Sequence, residues 1–126
     1  MTVRVLVADD QAPFRGAARA VLAAAPEFEL IGEARSGEEA LDLVAELHPD
    51  LVLMDIKMPG LGGIDASRSI AGAYPATATV LLSTYREEDL PVEARRCGAL
   101  AYLHKSNFDG DALRALWARR QSVSAR

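Results

Sequence analysis

Residues 51–60, "LVLMDIKMPG", place four apolar residues directly before an acid, then a lysine, a methionine and a Pro-Gly pair. Four apolar residues without alternation read as a strand buried on both faces, and Pro59-Gly60 reads as a turn. The arrangement therefore puts Asp55 at the carboxyl end of an interior strand. A carboxylate is costly there unless something compensates it.

Working outward, the same pattern recurs. "VRVLVA" (3–8) is a second such strand and also ends at acids, Asp9 and Asp10. "FELIGEA" (28–34), "DLVLM" (50–54), "TVLLS" (79–83) and "LAYL" (100–103) complete five strands. Helical spacing of apolar residues fills the intervals, at 12–25, from Ser36 to Leu47, at 64–73, at 88–97 and at 109–120. Ser36 with Glu39 forms a capping box, His48-Pro49 ends the second helix, and Gly98 closes the fourth. Continuous apolar strands alternating with amphipathic helices predict an α/β domain, (βα) five times, with a doubly wound parallel sheet joined by right-handed crossovers.

Composition is consistent with one such domain and narrows its partners. The chain has 126 residues, half of them apolar and a quarter charged. Its longest purely apolar stretch, "AVLAAA" at 20–25, is far short of the ~18 residues of a membrane span, and the N-terminal stretch reaches two acids too early for a secretory signal. A cytoplasmic protein that does not contact the membrane is expected. Net charge −4, from 14 basic and 18 acidic residues, disfavours direct binding to nucleic acid. Cys97, the single cysteine, reads as a small core residue.

In a doubly wound sheet, function collects outside the carboxyl ends of the strands. Asp9 and Asp10, Asp55, Ser83 and Lys105 all fall there, from four different strands. Singly, each has an ordinary reading: a helix cap, a turn, a strand-end hydroxyl, a solvated lysine. Together they form a site. Two carboxylates ~5 Å apart repel by roughly 3 kcal/mol at an effective dielectric near 20, and one lysine does not balance three acids. A hard divalent cation with oxygen ligands would, and an acid-rich site without histidine suits Mg²⁺ and not zinc. A carboxylate beside a metal and a positioned ammonium is able to attack phosphorus.

The acid pair in "ADD", the segment "LMDIKMPGLGG", the strand end "LLS" and the segment "YLHK" together resemble the receiver domain of bacterial two-component response regulators. "LIGEARSGEEAL" is similar to receivers of the NarL/LuxR subfamily. The resemblance covers residues 1–120, with 121–126 left as a tail or the start of a linker. It implies a flavodoxin-like fold with strand order 2-1-3-4-5. It assigns Asp55 as phosphoryl acceptor, Asp10 as a direct Mg²⁺ ligand, Asp9 as a water-mediated one, and the Lys57 backbone carbonyl as a further ligand. Lys105 would pair with the phosphoryl group, Ser83 would be the switch hydroxyl, and Tyr102 the switch aromatic.

The implied function is phosphorelay signalling. A sensor histidine kinase donates the phosphoryl group, and a face made of the helix at 88–97, the strand at 100–103 and the helix at 109–120 changes to control an output. Such a domain is a phosphoacceptor and not an enzyme with its own substrate. Partners implied are the kinase, a DNA-binding output domain beyond this chain and a second copy of the chain. The alternative is a receiver-fold interaction module, regulated by a partner and seldom phosphorylated. Ser106 departs from the family, where proline or aspartate commonly follows the lysine, and His48 and His104 read as surface residues. "GLGG" (60–63) reads as turn and helix start and not as a phosphate loop.

Overall fold

The computed structural model describes residues 2–124, with side chains as far as residue 120. Five strands, β1 (Val3–Ala8), β2 (Phe28–Ala34), β3 (Leu51–Asp55), β4 (Ala78–Ser83) and β5 (Ala101–His104), form one parallel sheet in the order β2-β1-β3-β4-β5. The order is the expected one. The connections carry α1 (Ala12–Ala23), α2 (Gly37–Leu47) and α3 (Gly63–Ala73), and α4 (Gly110–Ser124) follows β5. The backbone of α4 thus runs into the segment expected as a tail, while residues 125 and 126 lie outside the described residues.

The apolar runs divide between two cores because successive side chains on a strand point to opposite faces. Val5, Val7, Leu51, Leu53, Val80 and Leu82 pack with Ala18 and Leu22 of α1 and Leu113 of α4. Leu6, Ala8, Val52, Met54 and Leu81 pack instead with Ala40 and Val44 of α2 and Ala66 and Ile70 of α3. Both faces are covered, so β3 needs no polar residue until its end. The Ser36 hydroxyl accepts the Glu39 amide at 3.1 Å as the capping box requires, while the Glu39 carboxylate reaches the amide of Arg35 at 3.0 Å.

The helix expected at 88–97 does not form. Two single 3-10 turns, Glu87–Asp89 and Val92–Arg95, occupy the segment. Pro91 is the reason: it offers no amide hydrogen and disfavours helical geometry in Leu90, which is extended at φ −65° and ψ 136°. Between Pro91 and Gly98, which has φ +87°, too few residues remain to repay helix nucleation. Ala94 and Cys97 still bury their side chains in the core beside α3, so the apolar spacing reported burial correctly and the backbone form incorrectly.

Gly63 marks where the site meets the fold. It opens α3 directly behind the end of β3, and a Cβ there would fall 1.9 Å from the Asp55 carbonyl oxygen. Gly16, inside α1, has nothing within 4 Å of a built Cβ. Gly63→Ala is therefore expected to lower stability by about 1–3 kcal/mol through overpacking against backbone, and Gly16→Ala to raise it by about 0.5–1 kcal/mol through helix propensity. Urea unfolding of both variants checks the pair, and equal effects would remove the close-approach argument.

Candidate functional site

Sheet register assembles the site. Ala8 pairs with Met54, so Asp9 and Asp55 are the next residues on adjacent strands, at the point where the chain order reverses across the sheet. Asp55 pairs with Leu82 and is itself the last residue of β3, not the first beyond it. Ser83 pairs with His104, which brings Lys105 to the same rim. Alternation then sorts the side chains. Asp9 continues the face of Val5 and Val7, Asp55 that of Leu51 and Leu53, and Lys105 that of Leu103. Ser83 and Tyr102 continue the opposite face, with Leu81.

The four charged groups are close. One carboxylate oxygen from each of Asp9, Asp10 and Asp55 lies within 4.8 Å of the others. The Lys105 ammonium stands 2.6 Å from Asp9 Oδ2 and 3.6 Å from Asp55 Oδ1. Asp9 is fully buried, and its Oδ1 accepts the Gln11 amide at 2.8 Å, so both of its oxygens already receive a donor. Asp10 is exposed on the solvent side. The backbone amide of Lys57 favours the charged form of the Asp55 carboxyl.

Contacts that the sequence did not reveal hold this geometry. Phe14 of α1 lies 4.5 Å beneath the Lys105 ammonium and packs against Phe108 at 5.6 Å, fixing the lysine stem between apolar surfaces. Arg15 is buried and donates to the Asp9 backbone carbonyl at 2.8 Å. Phe14 was visible only as an apolar position of a helix, and no sequence pattern pointed Arg15 inward. His104 is not the plain surface residue it reads as: Nδ1 lies 3.1 Å from the Ser106 amide and Nε2 3.1 Å from the Thr84 carbonyl.

Ser83 is buried, and its hydroxyl oxygen accepts the Tyr85 amide at 2.8 Å, leaving its hydrogen to donate elsewhere. Tyr102 is half-buried with its hydroxyl turned outward. It donates to Glu87 at 3.1 Å and accepts from Arg95, whose guanidinium sits 5.0 Å over the ring. A cavity of about 390 Å³ lies between them, lined by Ser83, Leu90, Tyr102 and His104 among others.

The Asp55 carboxyl carries the electrostatic cost of this arrangement. Burial raises its pKa first, the Asp9 charge second, while Lys105 and the Lys57 amide pull down, and the balance leaves it at about 6 from an ordinary 3.8. The fold thus holds the Asp55 proton more tightly than the unfolded chain does. Below about pH 3.8 both states are protonated and stability is unaffected; as pH rises to about 6 the unfolded chain ionises first, and stability falls toward a plateau. The full shift corresponds to about 3 kcal/mol as an upper bound. In buffer with a chelator, Asp55→Asn is expected to exceed the parent in stability by about 1–3 kcal/mol at pH 7.5 and to match it near pH 4, as read by urea unfolding at both pH values. A constant difference across pH would mean that the Asp55 charge is already compensated.

Comparison with known proteins agrees with this fold. The response regulator receiver domain family matches residues 5–117. The response regulator GacA of Pseudomonas viridiflava is 39% identical over 125 residues, 97% of this chain and 58% of GacA. The transcriptional regulatory protein DegU of Brevibacillus brevis is 36% identical over 111 residues, 88% of this chain and 47% of DegU. The chain spans about half the length of these curated relatives. Among solved structures, the signal receiver domain of a Mycobacterium tuberculosis response regulator named NarL superposes with a TM-score of 0.86 at 28% identity, covering 95% of this chain and 97% of that one. With a sheet in receiver order and an acid cluster at its reversal point, the chain belongs to the response regulator receiver domain family of two-component signalling proteins, in its NarL/LuxR-type branch.

Proposed function

We propose that this chain accepts a phosphoryl group on Asp55 from a phosphohistidine of a sensor histidine kinase, in a Mg²⁺-dependent reaction, and that the modified state controls an output. The observation that carries this reading is Asp55 at the strand end, with a lysine ammonium at 3.6 Å and two further acids in reach of one ion. The donor set fits the ion. All three side chains offer oxygen, no histidine or cysteine joins them among the described residues, and Asp55 is raised first by its burial and then by the Asp9 charge, against which Lys105 is a single cation. Asp10 and Asp55, with the Lys57 backbone carbonyl, would hold Mg²⁺ directly, and Asp9, whose oxygens are already engaged, would act through water. When bound, the ion supplies positive charge to the acceptor carboxylate and to the phosphoryl oxygens.

An Asp55 carboxylate oxygen attacks phosphorus, the new O–P bond forming as the P–N bond of the phosphohistidine breaks. The donor imidazole leaves with the bonding electron pair and takes up a proton. Lys105, anchored on Asp9 over Phe14, faces the developing charge on the equatorial oxygens without having to reorganise. The role is that of a phosphoacceptor; no substrate turns over beyond loss of its own phosphoryl group. DNA-binding output, a kinase partner and a second copy of the chain are proposed from the relatives' roles as regulators, and a cytoplasmic location accords with them. Among the described residues, no helix is long and apolar enough to cross a membrane.

The readout face is proposed to be the turns at 87–95, β5 and α4, in place of a face bounded by a helix at 88–97. Donation of the Ser83 hydrogen to a phosphoryl oxygen would draw the end of β4 toward Asp55. Tyr102 has a cavity beside it into which to turn, at the cost of its bonds to Glu87 and Arg95. Phosphorylation biases the two arrangements through these differential contacts.

Acetyl phosphate with Mg²⁺ is expected to add one phosphoryl mass to the purified chain, and none to Asp55→Ala, as read by intact-mass spectrometry. No mass gain in the parent would instead favour an interaction module regulated by its partner. Ser83→Ala is expected to gain the same mass while the amide NMR shifts of residues 86–108 respond to phosphorylation by less than half as much. A full response would remove Ser83 as the coupling group.

A further inference from the structure

The ammonium at the site sits on weak local structure. Lys105 begins a single 3-10 turn, Lys105–Asn107, closed by one backbone bond of 3.3 Å, and that turn contains neither proline nor a long helix to stiffen it. Phe14 and Asp9 fix the far end of the side chain, but nothing in those contacts fixes the backbone from which it starts.

His104 does. Its Nδ1 accepts the Ser106 amide at 3.1 Å, capping the turn, and the Ser106 hydroxyl approaches the same nitrogen at 2.7 Å. An N–H donor at Nδ1 requires that nitrogen to be unprotonated, so the hydrogen of the neutral ring is on Nε2, where it donates to the Thr84 carbonyl at 3.1 Å. One imidazole therefore ties the turn that carries Lys105 to Thr84, the residue that follows Ser83 at the end of β4. Strand alternation makes this possible: His104 points to the Ser83 side of the sheet and Lys105 to the Asp55 side, so the strap does not compete with the ion pairs.

We infer that His104 is a positioning residue for phosphoryl transfer, holding the Lys105 turn in register with the end of β4 through its Ser106 and Thr84 bonds. The inference rests on Asp55 being the acceptor. His104 touches none of Asp9, Asp10 or Asp55 by hydrogen bond. Its loss is thus expected to slow the chemical step and to spare metal binding, since small displacements of a group facing the transition state reduce rate steeply.

The test compares the full chain with His104→Ala and His104→Asn. An asparagine at this position caps the turn through its side-chain oxygen but is too short to span to Thr84. With acetyl phosphate at saturating Mg²⁺, His104→Ala is expected to lose about 10-fold in maximal phosphorylation rate, with Mg²⁺ affinity and the half-saturating donor concentration within twofold of the parent. In metal-free protein, hydrogen exchange at the Ser106 amide should accelerate in His104→Ala and return toward the parent value in His104→Asn, which should recover part of the rate. Imidazole ¹⁵N shifts of the parent should report a neutral ring protonated on Nε2. A folded His104→Ala that phosphorylates at the parental rate, a rate loss matched by an equal loss of Mg²⁺ affinity, or a His104→Asn that regains the full parental rate without the Thr84 bond would each overturn the inference while leaving Asp55 as acceptor. A parent chain that takes no phosphoryl group would overturn both.

Discussion

The constraint on which the molecule turns is a charge imbalance at one end of a parallel sheet. Strands running in one direction deliver all their carboxyl ends to the same rim, so the residues that end β3 and those that follow β1 and β5 meet whether or not they attract one another. Here they are three acids and one lysine. The 2.6 Å pair between Lys105 and Asp9 joins the last strand to the first and leaves Asp55 only partly compensated, with its pKa raised to about 6. That residual charge is a cost to the fold and, in the proposed function, what Mg²⁺ would offset.

Rigidity around the imbalance comes from apolar packing. β3 buries every residue it has, including Asp55, between two cores, and α3 begins so close behind it that only glycine fits at position 63. The Asp55 backbone cannot shift far without opening both cores. On the other side of the rim the structure is looser: two short turns replace a helix, Tyr102 is held outward by exposed Glu87 and Arg95, and a cavity adjoins Ser83. A stiff Asp55 beside a loosely held face is the arrangement the proposed switch would need, because a local bond is then able to select between packings at low cost.

The fold class and the acids at the strand ends were legible because they follow from local rules, while the strand order was implied only by the resemblance to receiver domains. Apolar runs without alternation mean strands covered on both faces, and termination of those runs by Asp9, Asp55 and Ser83 fixes which polar groups lie at the rim. The helix expected at 88–97 failed for a reason also present in the sequence. Ala94 and Cys97 have the spacing of a buried face, but Pro91 and Gly98 bracket too short a span, and the apolar period outweighed the breaker in the reading.

What sequence by itself determined was the inventory: which residues reach the rim, and that their charges do not cancel. It could not determine how the lysine divides itself among the acids, that Phe14 would lie beneath it, or that Arg15 would turn inward to the Asp9 carbonyl. Nor did any pattern distinguish His104 from a solvent-facing strand end. Those facts depend on register between strands far apart in the chain, Ser83 opposite His104 and Ala8 opposite Met54, and on which side of the sheet each side chain emerges. A hydrogen bond is lost over an ångström or so and a charge divides its attraction according to its distance from each partner, so only the packed tertiary structure decides which of several nearby groups are paired.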